Sequence, residues 1–184
     1  MASSIATWPN AITGIRALGI PLFVYLALWP EADGWAIGVL AVGGATDYFD
    51  GKLARALGQE SKLGEILDPT IDRLYILATL IVLFMRDAIP FWLIFTLIAR
   101  DAVLALVAIA LTMKKKPPLK VTFIGKAATF NLLYAFPFLL LAQSDSTVGR
   151  LAFIFGWAFA IWGVTLYVAT GVSYFLTALK TIRV

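Results

Sequence analysis

The sequence contains no histidine and no cysteine, and only 14% of its 184 residues are charged. Without cysteine there is no disulfide frame, no thiolate nucleophile and no zinc–sulfur centre. Without histidine there is no Ser-His-Asp triad and no imidazole general base. Any metal held by side chains must then sit on carboxylate oxygens, which favours magnesium, manganese or calcium over zinc or copper. The shortage of charge is matched by an excess of apolar residues, 61% against about 45–50% in average soluble domains. Such a chain can bury surface almost everywhere, which excludes disorder and points to lipid as its solvent. Its chemistry falls to 11 acidic and 15 basic residues.

A membrane-spanning helix needs about 20 mostly apolar residues. Six stretches qualify: Pro9–Leu28, Gly34–Leu57, Leu63–Phe84, Ile89–Met113, Phe123–Ala142 and Val148–Leu179. They leave only short connections, so the expected fold is all-α, a polytopic membrane protein with six transmembrane helices in one domain over residues 1–184. The last stretch is long for one span and predicts tilt or an extension past the bilayer. No internal repeat stands out. The N-terminus lacks a basic segment followed by a cleavable apolar core, so no signal peptide is expected.

Orientation follows from lysine and arginine. One set of connections and termini carries Lys52, Arg55, Lys62, Lys114, Lys115, Lys116, Lys120, Lys180 and Arg183. The opposite set carries only Arg86 and Arg150, together with Glu31, Asp33 and Asp145. Nine against two predicts both termini in the cytoplasm. The net charge of +4 is thus a topology signal, and no nucleic-acid partner is expected. The Lys114–Lys120 run serves equally as a topology anchor or as an attraction for anionic headgroups. Trp8, Trp29, Trp35, Trp92 and Tyr174, near span ends, are expected as interface anchors. Pro21 and Pro137, inside spans, could bend their helices or pack harmlessly.

The second and third spans hold what an ordinary apolar helix does not. Asp47 and Asp50 are three residues apart, and Asp68 and Asp72 four apart, so each pair lies on one helix face. A short polar turn between the spans brings the four carboxylates towards one place near the cytoplasmic surface. Four negative charges there need cations or protons, and acids within apolar helices mark a site. All-oxygen ligation suits one or two magnesium or manganese ions. Gly51, Ala54 and Gly64 leave room for a bulky planar group, or serve helix–helix packing.

The pattern Asp47-x2-Asp50-Gly51-x2-Ala54-Arg55-x8-Gly64-x3-Asp68-x3-Asp72 resembles, position for position, the signature of the CDP-alcohol phosphotransferases. The resemblance extends to the six-span layout. It implies a homodimer that moves a phosphatidyl group from CDP-diacylglycerol to an alcohol and releases CMP. It further implies that Asp47, Asp50, Asp68 and Asp72 hold two magnesium or manganese ions, with Asp72 also the base that deprotonates the acceptor. Gly51, Ala54, Arg55 and Gly64 would receive the nucleotide. The run Pro9-Asn10-x2-Thr13-x2-Arg16 looks like the N-terminal motif of the phosphatidylglycerophosphate synthase branch and its relatives. Asn10 and Thr13 would bind the nucleotide, or alternatively cap the first helix.

Acceptor choice should lie in the basic residues at membrane depth, Arg16, Arg73, Arg100 and Lys126. Together they could form a pocket for an anionic, glycerol-type headgroup; separately they could snorkel or pair with an acid such as Asp101. The segments Ile98–Asp101 and Leu119–Lys126 look like those of CMP-forming, eukaryotic-type cardiolipin synthases. Phosphatidylglycerophosphate synthases usually show Arg-Glu at Arg100-Asp101, and carry further basic residues that this chain lacks. A phosphodiester acceptor such as phosphatidylglycerol needs fewer cations than glycerol 3-phosphate. The expected activity is therefore cardiolipin synthesis from phosphatidylglycerol, with phosphatidylglycerophosphate synthesis the alternative. The expected location is a bacterial inner (plasma) membrane, with the site at the cytoplasmic face. A cation channel or carrier is the alternative of another class; it predicts acids spread along a path.

Overall fold

The computed structural model describes residues 8–57, 62–119 and 122–183, with side chains described for 13–46, 70–119 and 122–182. Six helices account for nearly all of them: α1 (Trp8–Leu28), α2 (Asp33–Leu57), α3 (Lys62–Met85), α4 (Phe91–Met113), α5 (Phe123–Leu141) and α6 (Thr147–Arg183). Each expected span coincides with one helix. α4 starts two residues late because Pro90 sits extended, at φ −75° and ψ 154°, and disfavours helix in the residue before it. Pro21 and Pro137 lie inside α1 and α5, and both helices run through them.

Among the described residues, three helices are long and apolar enough to cross a membrane: Phe91–Met113, Phe123–Leu141 and Thr147–Ile182. α1 adds the shorter apolar stretch Thr13–Leu28. The acids and bases from Asp47 to Arg55 and from Lys62 to Arg73 shorten the apolar runs of α2 and α3. α6 has 37 residues, about 55 Å of helix at 1.5 Å per residue, well beyond a hydrocarbon core of about 30 Å. The extension expected there is thus continuous helix.

The chain divides into two compact units, Met1–Arg86 and Asp87–Val184. In the first, α1 lies against both α2 and α3. Phe23, Ala27, Ala36, Leu80, Val82 and Leu83 are buried there. Tyr75 of α3 keys the three helices together. Its hydroxyl donates to the Arg16 carbonyl at 2.7 Å, and its ring lies against Gly19 of α1 and Gly43 of α2. At the other end of this unit, Arg86 bonds the Ala27 carbonyl at 3.3 Å and pairs with Asp33 and with Glu31. Arg86 and Asp33 are largely enclosed, their side chains 11% and 13% accessible, so this pair fastens the end of α3 to the α1–α2 turn.

In the second unit α6 packs against α5 and α4. Gly156 and Gly163 of α6, seven residues apart, face Leu139 and Leu132 of α5, also seven apart, in antiparallel register. A Cβ at either glycine would come within about 3 Å of the facing leucine, so small residues set the close approach of the two helices. That seven-residue spacing is a periodicity the sequence reading did not register. At the C-terminus of α4, Lys115 adopts φ 53°, while the Lys116 amide bonds the Leu111 carbonyl and the Lys115 amide that of Thr112. This is a left-handed helix stop built on lysine, whose charge suits the negative end of the helix dipole.

Candidate active site

The helices set the site before any side chain is considered. Asp47, Asp50, Gly51, Ala54 and Arg55 lie in the C-terminal part of α2; Gly64, Asp68 and Asp72 lie in the N-terminal part of α3. Both stretches are continuous helix, so each aspartate pair keeps the shared face that its spacing demands. α1 packs on both helices, and its first turns carry Asn10, Thr13 and Arg16. The side chains of Asn10, Asp47, Asp50, Gly51, Ala54, Arg55, Gly64 and Asp68 lie outside the described residues. The expected convergence of four carboxylates therefore lies outside them too, and among the described residues no three acids gather.

Asp72 is described, and its surroundings hold a pairing that the sequence reading did not anticipate. Its Oδ1 stands 3.3 Å from Nη2 of Arg16, whose side chain is only 1% accessible while that of Asp72 is 50% accessible. A buried guanidinium thus holds a carboxylate that reaches the surface. The sequence places Arg16 among the acceptor cations; the structure sets it beside Asp72. The signal was available, since an arginine inside an apolar helix is costly without an acid nearby. One turn away, the Tyr75 hydroxyl grips the carbonyl of the same Arg16. Thr13, one turn before Arg16 on α1, is also buried. It lies beyond the first turn of α1 and so does not cap that helix. Arg73 is exposed.

The other two expected acceptor residues belong to the second unit. Arg100 of α4 bonds Asp101 Oδ1 at 3.0 Å through Nη1, and its guanidinium lies 3.9 Å from the centre of the Tyr167 ring of α6. The Tyr167 hydroxyl donates to the same Asp101 oxygen at 2.6 Å. Gly171, one turn along α6, leaves the space: a Cβ there would stand 2.9 Å from Arg100 Cγ. The Arg100 Nε is enclosed without a partner, an arrangement that costs about 1–3 kcal/mol. Arg100 is therefore paired with Asp101, as one of the sequence alternatives held, and is gripped by a tyrosine that the sequence reading passed over. Lys126 is exposed in the first turn of α5. That turn is fixed from α6, because the Tyr174 hydroxyl accepts from the Thr122 amide at 2.8 Å and meets the Thr122 hydroxyl at 2.9 Å. Thr122 in turn caps α5 by accepting from the Gly125 amide. Tyr174, expected as an interface anchor, is thus tied to the start of α5, whereas Trp29, Trp35 and Trp92 are exposed at helix ends.

Comparison with known proteins decides the family. The family model described as CDP-alcohol phosphatidyltransferase matches residues 6–164. The chain belongs to that family. This transferase is 49% identical over 184 residues to a CMP-forming cardiolipin synthase of Streptomyces coelicolor, covering 97% of this chain and 86% of the relative. It is 40% identical over 179 residues to a putative cardiolipin synthase of Mycobacterium tuberculosis, with the same coverages of 97% and 86%. A probable phosphatidylglycerophosphate synthase of the same organism is 31% identical over 186 residues, 97% of this chain and 84% of the relative. The chain is an enzyme of the CDP-alcohol phosphatidyltransferase type, which leaves the channel alternative without support.

Proposed function

We propose that this transferase moves the phosphatidyl group of CDP-diacylglycerol to a hydroxyl of phosphatidylglycerol, forming cardiolipin and CMP. The observation that carries the choice of acceptor is the full-length similarity to cardiolipin synthases, 49% and 40%, against 31% for the phosphatidylglycerophosphate synthase over the same share of the chain. In this reading the six helices form one catalytic domain that spans a bacterial plasma membrane, with both termini and the site at the cytoplasmic face. The count of nine lysines and arginines against two supports that orientation. The protein acts as a homodimer.

Asp47, Asp50, Asp68 and Asp72 offer only oxygen donors, in two pairs on two helices that share α1 as a neighbour, and that set fits hard divalent cations. Two magnesium or manganese ions held there would neutralise the pyrophosphate of CDP-diacylglycerol. Asp72 accepts the proton of the acceptor hydroxyl, whose oxygen attacks the diacylglycerol-bearing phosphorus; the bond to CMP breaks, and CMP leaves with the electron pair. Arg16 orients that carboxylate. Asn10, Thr13, Gly51, Ala54, Arg55 and Gly64 receive the nucleotide. Arg73, Arg100 and Lys126 serve the acceptor anion, and Arg16 belongs to the same group by charge. The test is to give the purified protein CDP-diacylglycerol, magnesium or manganese, and either phosphatidylglycerol or glycerol 3-phosphate, then identify the lipid formed. Cardiolipin with equimolar CMP is expected, and product from glycerol 3-phosphate alone would overturn the acceptor.

A further inference from the structure

One face of α6 carries Tyr167, Gly171 and Tyr174, spaced four and three residues apart. Residues so spaced share a helix face. Each meets a partner from another helix of the second unit, and both partners are tied to residues assigned above to the acceptor. Tyr167 and Gly171 enclose the Arg100 side chain from α4, and Tyr174 holds the segment that opens α5, four residues before Lys126. The Tyr167 and Tyr174 positions lie about 10 Å apart along the helix axis.

We propose that this face of α6 is the positioning element for the acceptor headgroup, with Tyr167 fixing the direction of the Arg100 guanidinium and Tyr174 fixing the turn that bears Lys126. Three observations carry it. Tyr167 acts twice on one group, through its ring beneath the guanidinium and through its hydroxyl on the carboxylate that takes Nη1. Arginine is long and costs rotamer freedom when held, so two contacts plus a glycine slot amount to a preset orientation. The enclosed Nε lacks a partner, so the guanidinium does not adopt this pose to satisfy all its own donors. Of its five donors only one is used within the described residues; with Nε enclosed, the second Nη1 hydrogen and Nη2 are what the fork leaves for an anionic oxygen. Tyr174 does the corresponding work at α5, where its oxygen stands 2.5 Å from the place a Cβ on Gly125 would take. The inference rests on the acceptor reading above for the role of Arg100 and Lys126; the contacts themselves are independent of it.

The experiment uses the full chain in mixed micelles with CDP-diacylglycerol and phosphatidylglycerol, each varied in turn, for Tyr167→Leu, Tyr167→Phe, Gly171→Ala and Tyr174→Phe. Tyr167→Leu should raise the KM for the acceptor about tenfold, with the KM for CDP-diacylglycerol changed less than about twofold. Tyr167→Phe keeps the ring under the guanidinium and should recover most of that loss, leaving roughly a threefold effect from the missing hydroxyl. Gly171→Ala and Tyr174→Phe should each raise the acceptor KM alone. CMP binding and thermal unfolding of the same samples identify any variant that is merely misfolded, and the phenylalanine variants keep the ring packing. The inference is overturned if both KM values rise together in the folded variants, or if neither moves. Wild-type product from glycerol 3-phosphate alone would overturn the acceptor reading and not this one, because the same KM split is then read on that acceptor.

Discussion

Substituting Gly19 by alanine should destabilise the protein, and removing one oxygen from Tyr75 should then repair it. A Cβ on Gly19 would overlap the Tyr75 hydroxyl, yet it would stand 3.5 Å from Cζ of the same ring and 3.6 Å from Val39 Cγ1, both ordinary contacts. The clash is therefore with the hydroxyl alone. In Gly19→Ala the ring must move, which costs about 1–3 kcal/mol of overpacking and about 1 kcal/mol for the bond to the Arg16 carbonyl. Alanine returns about 1 kcal/mol of helix propensity, for a net loss of about 1–3 kcal/mol. Tyr75→Phe by itself loses only the hydrogen bond, about 1 kcal/mol. In the double variant the clash is gone and the propensity gain remains, so stability returns close to that of the unmodified protein. Tyr75→Phe should thus destabilise the native background and stabilise the Gly19→Ala background. Reversible denaturation in detergent micelles across the four proteins measures this coupling. Turnover should follow the same order, because Gly19 lies one turn from Arg16 and Tyr75 one turn from Asp72. A double variant no more stable than Gly19→Ala would refute the reasoning, since the hydroxyl would then not be what Gly19 accommodates.

Three further outcomes are expected. Asp72→Asn should lower turnover by about 10²–10⁴-fold while CMP binding, measured by calorimetry, persists; full activity would remove Asp72 as the base. Arg86→Gln should destabilise by about 2–4 kcal/mol in a denaturation assay, because it leaves the enclosed Asp33 carboxylate without its counter-charge. Stripping divalent ions with a chelator should abolish CMP release from CDP-diacylglycerol, with recovery on adding magnesium or manganese and none on adding potassium.

The positions of the six helices were legible because their cause is local. In a low-polarity solvent every backbone group must be satisfied within its own segment, so a run of about 20 apolar residues is already a statement about structure. That Asp47–Asp50 and Asp68–Asp72 fall within continuous helix was legible for the same reason, and acids at such spacing share a face before any packing is known. The helix-to-helix contacts were not legible in the same way. Nothing local in the sequence says that Gly156 and Gly163 meet leucines of α5, or that Tyr174 closes over the start of that helix.

Composition and spacing by themselves determined an all-helical chain with no thiol or imidazole. They also singled out cations inside apolar helices and offered Asp101 as a partner for one of them. Tertiary structure alone decided that Arg16 goes to Asp72, that Arg86 goes to Asp33, and that Tyr167 crosses from α6 to the acid beside Arg100. The Arg86–Asp33 and Tyr167–Asp101 contacts join residues 53 and 66 positions apart. A charge in an apolar helix announces that it needs a partner, because desolvation is costly wherever it lies. Which partner it receives depends on how two helices approach, and that approach is fixed by small residues and ring positions on faces that only packing brings together.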